Sequence, residues 1–306
     1  QLQLRSAMAD RGWDHANFAE KFGQYKVNKD YKKLKALLAQ VAEDNEARQG
    51  SFGTIPRTVP VSQAECKRPK DSVPIISIST MDTAQACRHF RRQGQICALN
   101  FANGKDVGGG YKMGATAQEE DLCRQIPSLY PSLMKAQEDG LYPFGPPTCS
   151  SADKPERYCD VLYTTNLKIC RGDALDGFSI LKPSEQVTVS MIAAAAPNIK
   201  FSKDVNDEKL IYRTMTNIFN APHVTEPGEI DILILGAWGC GAFGGDPIQI
   251  ATLFVKALVE ENLGQGYKEV HFAIPQFSAE DRNHEEFRKI LSAYFRDLKD
   301  YGSGRM

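Results

Sequence analysis

Gln95–Glu120 reads QICALNFANGKDVGGGYKMGATAQEE. Its first part, Gln95–Phe101, is an apolar run of strand length. Three consecutive glycines follow, Gly108–Gly110, and then a helix that begins near Ala115–Ala117. A buried strand, a glycine loop and a helix in succession are the unit of an open parallel sheet, and ligands collect where such strands end. The glycines remove side chains where the backbone must come close to something. Their N–H groups, with the helix N-terminus behind them, form an anion cradle. The plain alternative is a mobile surface turn, because glycine-rich matches arise readily by chance.

The same alternation extends outward from this stretch. Val73–Ile78 is an apolar, β-branched strand, and Asp82 caps a helix running to about Arg92. Downstream, Val161–Cys170 and Val187–Ala193 read as strands, and Glu208–Asn220 as an amphipathic helix. Ile230–Gly236 is a buried strand, Pro247–Asn262 a helix with Pro in its first turn, and Val270–Ile274 a strand. Phe287, Ile290, Leu291, Tyr294, Phe295 and Leu298 trace one face of a final helix. The pattern predicts an α/β sandwich with helices on both faces of a mixed, largely parallel sheet. In residues 1–50, Tyr31, Leu34, Leu37, Leu38 and Val41 recur at helical spacing behind Asn28 as N-cap. Residues 51–72 read as a linker or wrapping loop, and 140–158 as a Pro- and Ser-rich excursion. The chain thus divides into a helical extension with linker, 1–72, and a main domain, 73–306.

A second glycine loop, Gly236-Ala237-Trp238-Gly239-Cys240-Gly241-Ala242-Phe243-Gly244-Gly245-Asp246-Pro247, also joins a buried strand to a helix. It is a second anion-binding candidate. No Lys-Ser/Thr follows the glycines, so it is not a P-loop, and it lacks the dinucleotide spacing. Trp238 reads as core. Phe243 has few local neighbours, so packing on core and stacking on a ligand ring both stay open. Two such loops suggest a ligand with two phosphates, or phosphate plus sugar. No metal-organising acidic motif accompanies them, which weighs against phosphoryl transfer.

Glu119 and Glu120 are the carboxylates nearest the first loop. Adjacent helical residues point ~100° apart, so the pair cannot flank one bond from opposite faces. One can act as acid/base while the other fixes sugar hydroxyls. Alternatively, both merely complement the helix dipole. That dipole lowers a carboxylate pKa, which opposes a general-acid role unless burial raises it again.

Composition narrows the field. The chain has 306 residues, 42% hydrophobic and 25% charged, enough for one large or two smaller domains. Lys+Arg 37 against Asp+Glu 38 gives a net charge of −1, which argues against a nucleic-acid coat or a membrane-surface protein. No apolar run approaches the ~20 residues of a membrane span. The N-terminus has neither Met nor a signal-like core and reads as a processed start. None of the eight Cys forms C-x-x-C, and the five His show no ligand spacing, so no metal and no cofactor are expected. A reducing compartment follows, cytoplasmic or, in a eukaryote, nuclear.

GGGYKMGATAQEE, Gly108–Glu120, resembles the signature of poly(ADP-ribose) glycohydrolases: three Gly, a spacer (seven residues here), then Gln-Glu-Glu. Leu99–Ala102, Leu122–Arg124, Leu129–Leu133, AAAAPN at Ala193–Asn198 and LGAWGCGAFGGDP at Leu235–Pro247 resemble the microbial-type branch. The resemblance runs from about Ile75 to Phe277 and leaves the first 50 residues outside. It implies a macrodomain fold, a three-layer α/β/α sandwich that binds ADP-ribose and cleaves its glycosidic bond without metal. Carried over, Glu120 is the catalytic acid/base and Glu119 holds ribose hydroxyls. Gly108–Gly110 approach the distal ribose and diphosphate, Asn100 and Asn103 orient the distal ribose, and Gln118 is a substrate-binding residue. Gly239, Cys240, Gly241, Ala242, Phe243, Gly244 and Gly245 wrap the diphosphate.

Val107, Thr164-Thr165 and Gly245 depart from the family pattern at the rim, leaving open which group departs. The substrate is then poly(ADP-ribose), or a protein carrying one ADP-ribose on a side chain such as arginine. A non-catalytic ADP-ribose reader is the competing class, although a reader does not need the acid. The expected partners are ADP-ribose, its polymer and ADP-ribosylated proteins. Neither nucleic acid nor membrane is expected, and the protein is expected to be a monomer.

Overall fold

The computed structural model describes residues 12–62, 66, 72–146, 157–200, 206–278 and 280–303. In chain order these form α1 (His15–Val27), α2 (Tyr31–Ala47), β1 (Thr58–Val61), β2 (Ile75–Ser79), α3 (Thr83–Phe90) and β3 (Ile96–Phe101). Then come α4 (Gln118–Gln125), α5 (Leu129–Glu138), β4 (Val161–Ile169), β5 (Val187–Ala194), α6 (Glu208–Thr225) and β6 (Ile232–Leu235). The chain ends with α7 (Pro247–Val259), β7 (Glu269–Ala273), α8 (Asn283–Tyr294) and β8 (Lys299–Asp300).

The strands form one sheet in the order β1-β4-β5-β3-β6-β7-β2-β8. All pairings from β5 to β8 are parallel, whereas β1–β4 and β4–β5 are antiparallel. The central strands β3 and β6 are buried almost throughout, as their largely apolar sequence demands. On one face Ile218, Phe219, Phe254 and Phe287, from α6, α7 and α8, pack with Trp238 and Phe272. On the other, Cys87, Phe90, Leu122, Cys123, Leu129 and Leu133, from α3, α4 and α5, close a second core. The result is the expected α/β/α sandwich. Among the described residues no helix is long and apolar enough to cross a membrane.

α3 begins as its sequence requires. The Asp82 side chain accepts from Gln85 N at 2.7 Å, and the Gln85 side chain accepts from Asp82 N at 3.1 Å, a reciprocal capping box. Four expectations need correction. The cap of α2 is Asp30, which accepts from Lys33 N, while Asn28 closes α1. Tyr31 lies outside the buried stripe. The stretch read as linker contains β1, an edge strand of the main sheet that tolerates Pro60 because an edge leaves one side unpaired. The last helix stops at Tyr294, which faces solvent, so Phe295 and Leu298 pack on the core from beyond its end. Of the 140–158 excursion, residues 147–156 lie outside the described residues.

α1 and α2 enclose a third core of Phe18, Leu34, Leu37, Leu38 and Val41 against Phe178. Beside it Arg171, fully buried, donates Nε to Asn45 Oδ1 (2.7 Å) and Nη1 to Phe178 O (3.0 Å), and pairs with Asp44. Trp13 lies across the guanidinium at 5.0 Å. Asn45 Nδ2 also donates to Tyr111 Oη (3.0 Å) and Arg124 O (3.1 Å). One residue of α2 therefore touches both the first glycine loop's exit and α4.

Candidate active site

The first glycine loop leaves the carboxyl end of β3, and α4 returns the chain beside it. α4 has no side-chain cap of its own, because Ala117 occupies the cap position. Gln118 fixes it instead. Its Oε1 accepts from Phe101 N (2.8 Å), and its Nε2 donates to Leu99 O (2.8 Å) and Thr83 Oγ1 (2.9 Å). The helix start is thereby tied to the strand end. Gln118, read as substrate-binding, has both ends of its amide engaged by protein.

Glu119 and Glu120 point different ways from this fixed start. Glu119 accepts from Asn100 Nδ2 (3.1 Å) through Oε1 and from Asn103 N (2.9 Å) through Oε2. Burial pushes its carboxyl up to about 8 despite both donors, and the neighbouring Glu120 adds to the rise. Glu120 accepts from Gly110 N (2.8 Å) through Oε1, while its buried Oε2 has no partner among the described residues. One carboxylate is thus fully engaged, and the other keeps a lone oxygen available in a site shielded from water.

Asn100 is buried with Oδ1 unpartnered among the described residues. Asn103 Oδ1 accepts from Lys105 N and Asp106 N, both 3.0 Å, so its side chain shapes the loop. A Cβ at Gly108 would stand 2.6 Å from Tyr130, at Gly109 2.5 Å from Glu120 Oε1, and at Gly110 2.6 Å from Ala115. Gly108 and Gly109 also have left-handed φ, 64° and 53°. The close approach inferred from the glycine triplet is therefore, in this structure, an approach to protein groups, the acid among them.

The second loop curls on itself. Gly245 N donates to Gly239 O (2.9 Å), and Gly244 N to Gly241 O (3.2 Å). The N–H groups of Gly241, Ala242 and Phe243 have no acceptor among the described residues, which suits an anion. Asp246 caps α7 by accepting from Ile248 N (3.0 Å). Trp238 is core, its Nε1 donating to Ala194 O (2.9 Å). Phe243 is half-buried and packs on the same core. Cys240 Sγ donates to Trp238 O at 3.6 Å, and burial pushes its thiol up to about 12.

Arg124 received no role from the sequence. It is 1% exposed and donates to Ala115 O, pinning the loop that leads into α4. Its signal was its place four residues after Glu120, one helical turn along the same face. Tyr130 carried no local signal, because its contact with Gly108 depends on how α5 packs. Among the described residues no group of three His, Cys, Asp or Glu is arranged to hold a metal.

Residues 19–172 match the family described as microbial-type poly(ADP-ribose) glycohydrolase, catalytic domain. The match includes α2 and most of α1, which the sequence reading left outside the resemblance. The fold is similar to poly(ADP-ribose) glycohydrolase from Thermomonospora curvata: TM-score 0.68, 22% identity, 82% of this chain and 98% of that one. The same enzyme with the inhibitor ADP-HPD gives TM-score 0.65, again at 22% identity and with the same coverage of both chains. A mutant Deinococcus radiodurans poly(ADP-ribose) glycohydrolase in complex with ADP-ribose gives TM-score 0.62, 29% identity, 74% of this chain and 87% of that one. Curated protein sequences give no match. The family match spans half of the sequence, carries the glycine triplet and both glutamates, and has a macrodomain-like fold behind it: the chain belongs to the microbial-type poly(ADP-ribose) glycohydrolase family.

Proposed function

We propose that this protein, a glycohydrolase by family, cleaves the ribosyl–ribose bond of poly(ADP-ribose) with Glu120 as its single acid/base. The observation that carries the assignment is the division of labour between the glutamates. Glu120 has an open Oε2, whereas both Glu119 oxygens are bonded to protein. Glu120 protonates the departing ribosyl oxygen as the C1″–O bond breaks. It then takes a proton from the water that attacks the oxocarbenium-like centre. Gly110 N–H holds the other oxygen, so the carboxyl presents one orientation throughout.

The three open N–H groups of Gly241–Phe243 support binding of the diphosphate, whose charge stabilises the cationic centre. Asn100, with its free Oδ1, and Glu119 bound to its amide form the floor on which ribose hydroxyls are recognised. No disulfide joins the described cysteines, which supports a reducing compartment such as the cytoplasm.

Release of free ADP-ribose from polymer and from arginine-linked mono-ADP-ribosyl protein, compared between wild type and Glu120→Gln, tests this reading. Removal of the acid lowers polymer turnover by ~10²–10⁴-fold. Release only from the mono-adduct reassigns the leaving group and keeps the catalyst. Binding of ADP-ribose without release from either substrate makes the protein a reader and overturns the proposal.

A further inference from the structure

The segment after β5, Ala196–Lys200, runs along the second glycine loop and touches it at three points. A Cβ on Gly239 would stand 2.8 Å from the Ala196 methyl. Lys200 N donates to Phe243 O at 3.3 Å. The Lys200 side chain lies across Gly244, where a Cβ would stand 2.8 Å from Cγ and 3.2 Å from Cε. Gly244 has a φ of 78°, so both its backbone and the space above it exclude a larger residue. Between these contacts Asn198 Oδ1 is buried without a partner among the described residues.

The chemistry of the loop leaves a charge unanswered. Gly236–Pro247 contains no Lys or Arg, and its one carboxyl side chain, Asp246, caps α7. Its open N–H groups at 241–243 offer only partial charges to a ligand with two phosphates. The aliphatic stem of Lys200 lies over Gly244, where no side chain stands in its way, and Lys200 itself is exposed. A lysine ammonium is a compact, rotatable point charge suited to phosphate oxygens.

We propose that Lys200 is a substrate-binding residue, its ammonium neutralising the diphosphate of ADP-ribose held on the Gly239–Gly245 loop. The proposal rests on the ADP-ribose reading of the site. It assigns to the segment after β5 a role in affinity rather than in bond cleavage. The glycine at 244 serves the lysine as well as the loop: it is the groove in which the stem lies.

The test is calorimetric binding of ADP-ribose to the full chain at several NaCl concentrations, with polymer hydrolysis measured in parallel. The proteins are wild type, Lys200→Met and Lys200→Arg. Met keeps the stem over Gly244 and removes the charge, so the fold is left intact. The expected result for Lys200→Met is ADP-ribose binding weakened ~10-fold, equivalent to ~1.4 kcal/mol. The dependence of affinity on salt becomes shallower, because one screened charge contact is gone, and the kinetic loss appears in KM. Lys200→Arg retains most of the wild-type affinity. Wild-type affinity and salt dependence in Lys200→Met overturn the proposal, as does an equal, salt-independent loss in both variants, which would mean that only the stem matters. If wild type itself binds no ADP-ribose, the reading of the site fails and this proposal fails with it. The wild-type titration therefore separates the two failures.

Discussion

Gly110 N–H donates to Glu120 Oε1 at 2.8 Å, joining the last glycine of the triplet to the second glutamate ten residues later. A glutamine at 120 keeps that acceptor and replaces the proton-transferring carboxyl oxygen with an amide nitrogen. Glu120→Gln is therefore expected to fold with a melting temperature close to wild type and to turn over polymer ~10²–10⁴-fold more slowly. Thermal denaturation and ADP-ribose release on the same sample check both halves.

Gly109→Ala strikes the same contact from the other side. The new methyl meets Glu120 Oε1, and the left-handed backbone at φ 53° costs a further ~1–2 kcal/mol. Lower activity together with lower stability is expected. Gly23→Ala, inside α1 with nothing within 4 Å of its Cβ, is expected to stabilise by ~0.5–1 kcal/mol. Urea unfolding of the two variants should move in opposite directions.

Glu119 sets a pH dependence of stability. Burial raises its folded pKa from 4.5 to about 8. The folded state therefore holds a proton that the unfolded chain has lost. Glu119's contribution is fully present below pH ~4.5 and is lost as pH rises towards ~8, by up to ~1.4 kcal/mol per unit. Lowering the pH from 8 to 5 should therefore raise the urea midpoint of wild type relative to that of Glu119→Gln.

His271 acts in the opposite sense. It is fully buried between Ser77 and Ser79, each 2.8 Å from a ring nitrogen, and burial lowers its pKa to about 3. Ser77 donates its proton to Glu269, so His271 Nδ1–H donates to Ser77 Oγ, and Ser79 donates to Nε2. The unfolded histidine gains a proton below pH ~6.5 that the folded one refuses. Stability from this group is lost as pH falls from ~6.5 towards ~3. Nitrogen-15 NMR should show one neutral, Nδ1-protonated ring from pH 8 down to pH 5; an imidazolium signal in that range sinks the assignment.

We further propose that the N-terminal helices are an integral part of the catalytic unit rather than a separable extension. Arg171→Met breaks the pair with buried Asp44, removing one of the two arginines that hold it and leaving Arg48 at 2.9 Å, a change expected to cost ~1–3 kcal/mol. Because Asn45 links this pair to Tyr111 and Arg124, polymer hydrolysis should fall as well. Limited proteolysis that releases a stable, active core lacking α1 and α2 would count against the proposal.

The parts of the fold that were legible are those written locally. Asp82 and Gln85, three residues apart, announce α3, and the apolar runs of β3 and β6 announce the buried centre of the sheet. Local writing also misleads where two readings compete. Asn28 and Asp30 both suit a cap, and only the geometry of the turn chooses Asp30. β1 was hidden because four residues interrupted by a proline are too short to show a strand pattern; its place comes from antiparallel pairing with β4, from Thr58 opposite Thr164 to Val61 opposite Val161. In the site, both glycine loops and both glutamates were visible, and the resemblance already divided the tasks of Glu119 and Glu120, whereas the geometry behind that division was not. It depends on Asn100 and Asn103 facing Glu119, and on Gln118 splicing α4 to β3. Lys200 was invisible for the same reason, since its partner Gly244 lies 44 residues along the sequence.

The two ends of the sheet have a consequence for association. β1 closes one end with Pro60, whose nitrogen carries no hydrogen to offer a newcomer. β8 closes the other with only Lys299 and Asp300, too short and too charged to template a further strand. Among the described residues, neither edge strand offers a long unbroken row of backbone donors to another chain. The eight-stranded sheet, rich in Ile, Val and Leu, thus presents a poor template for a further strand at each described margin.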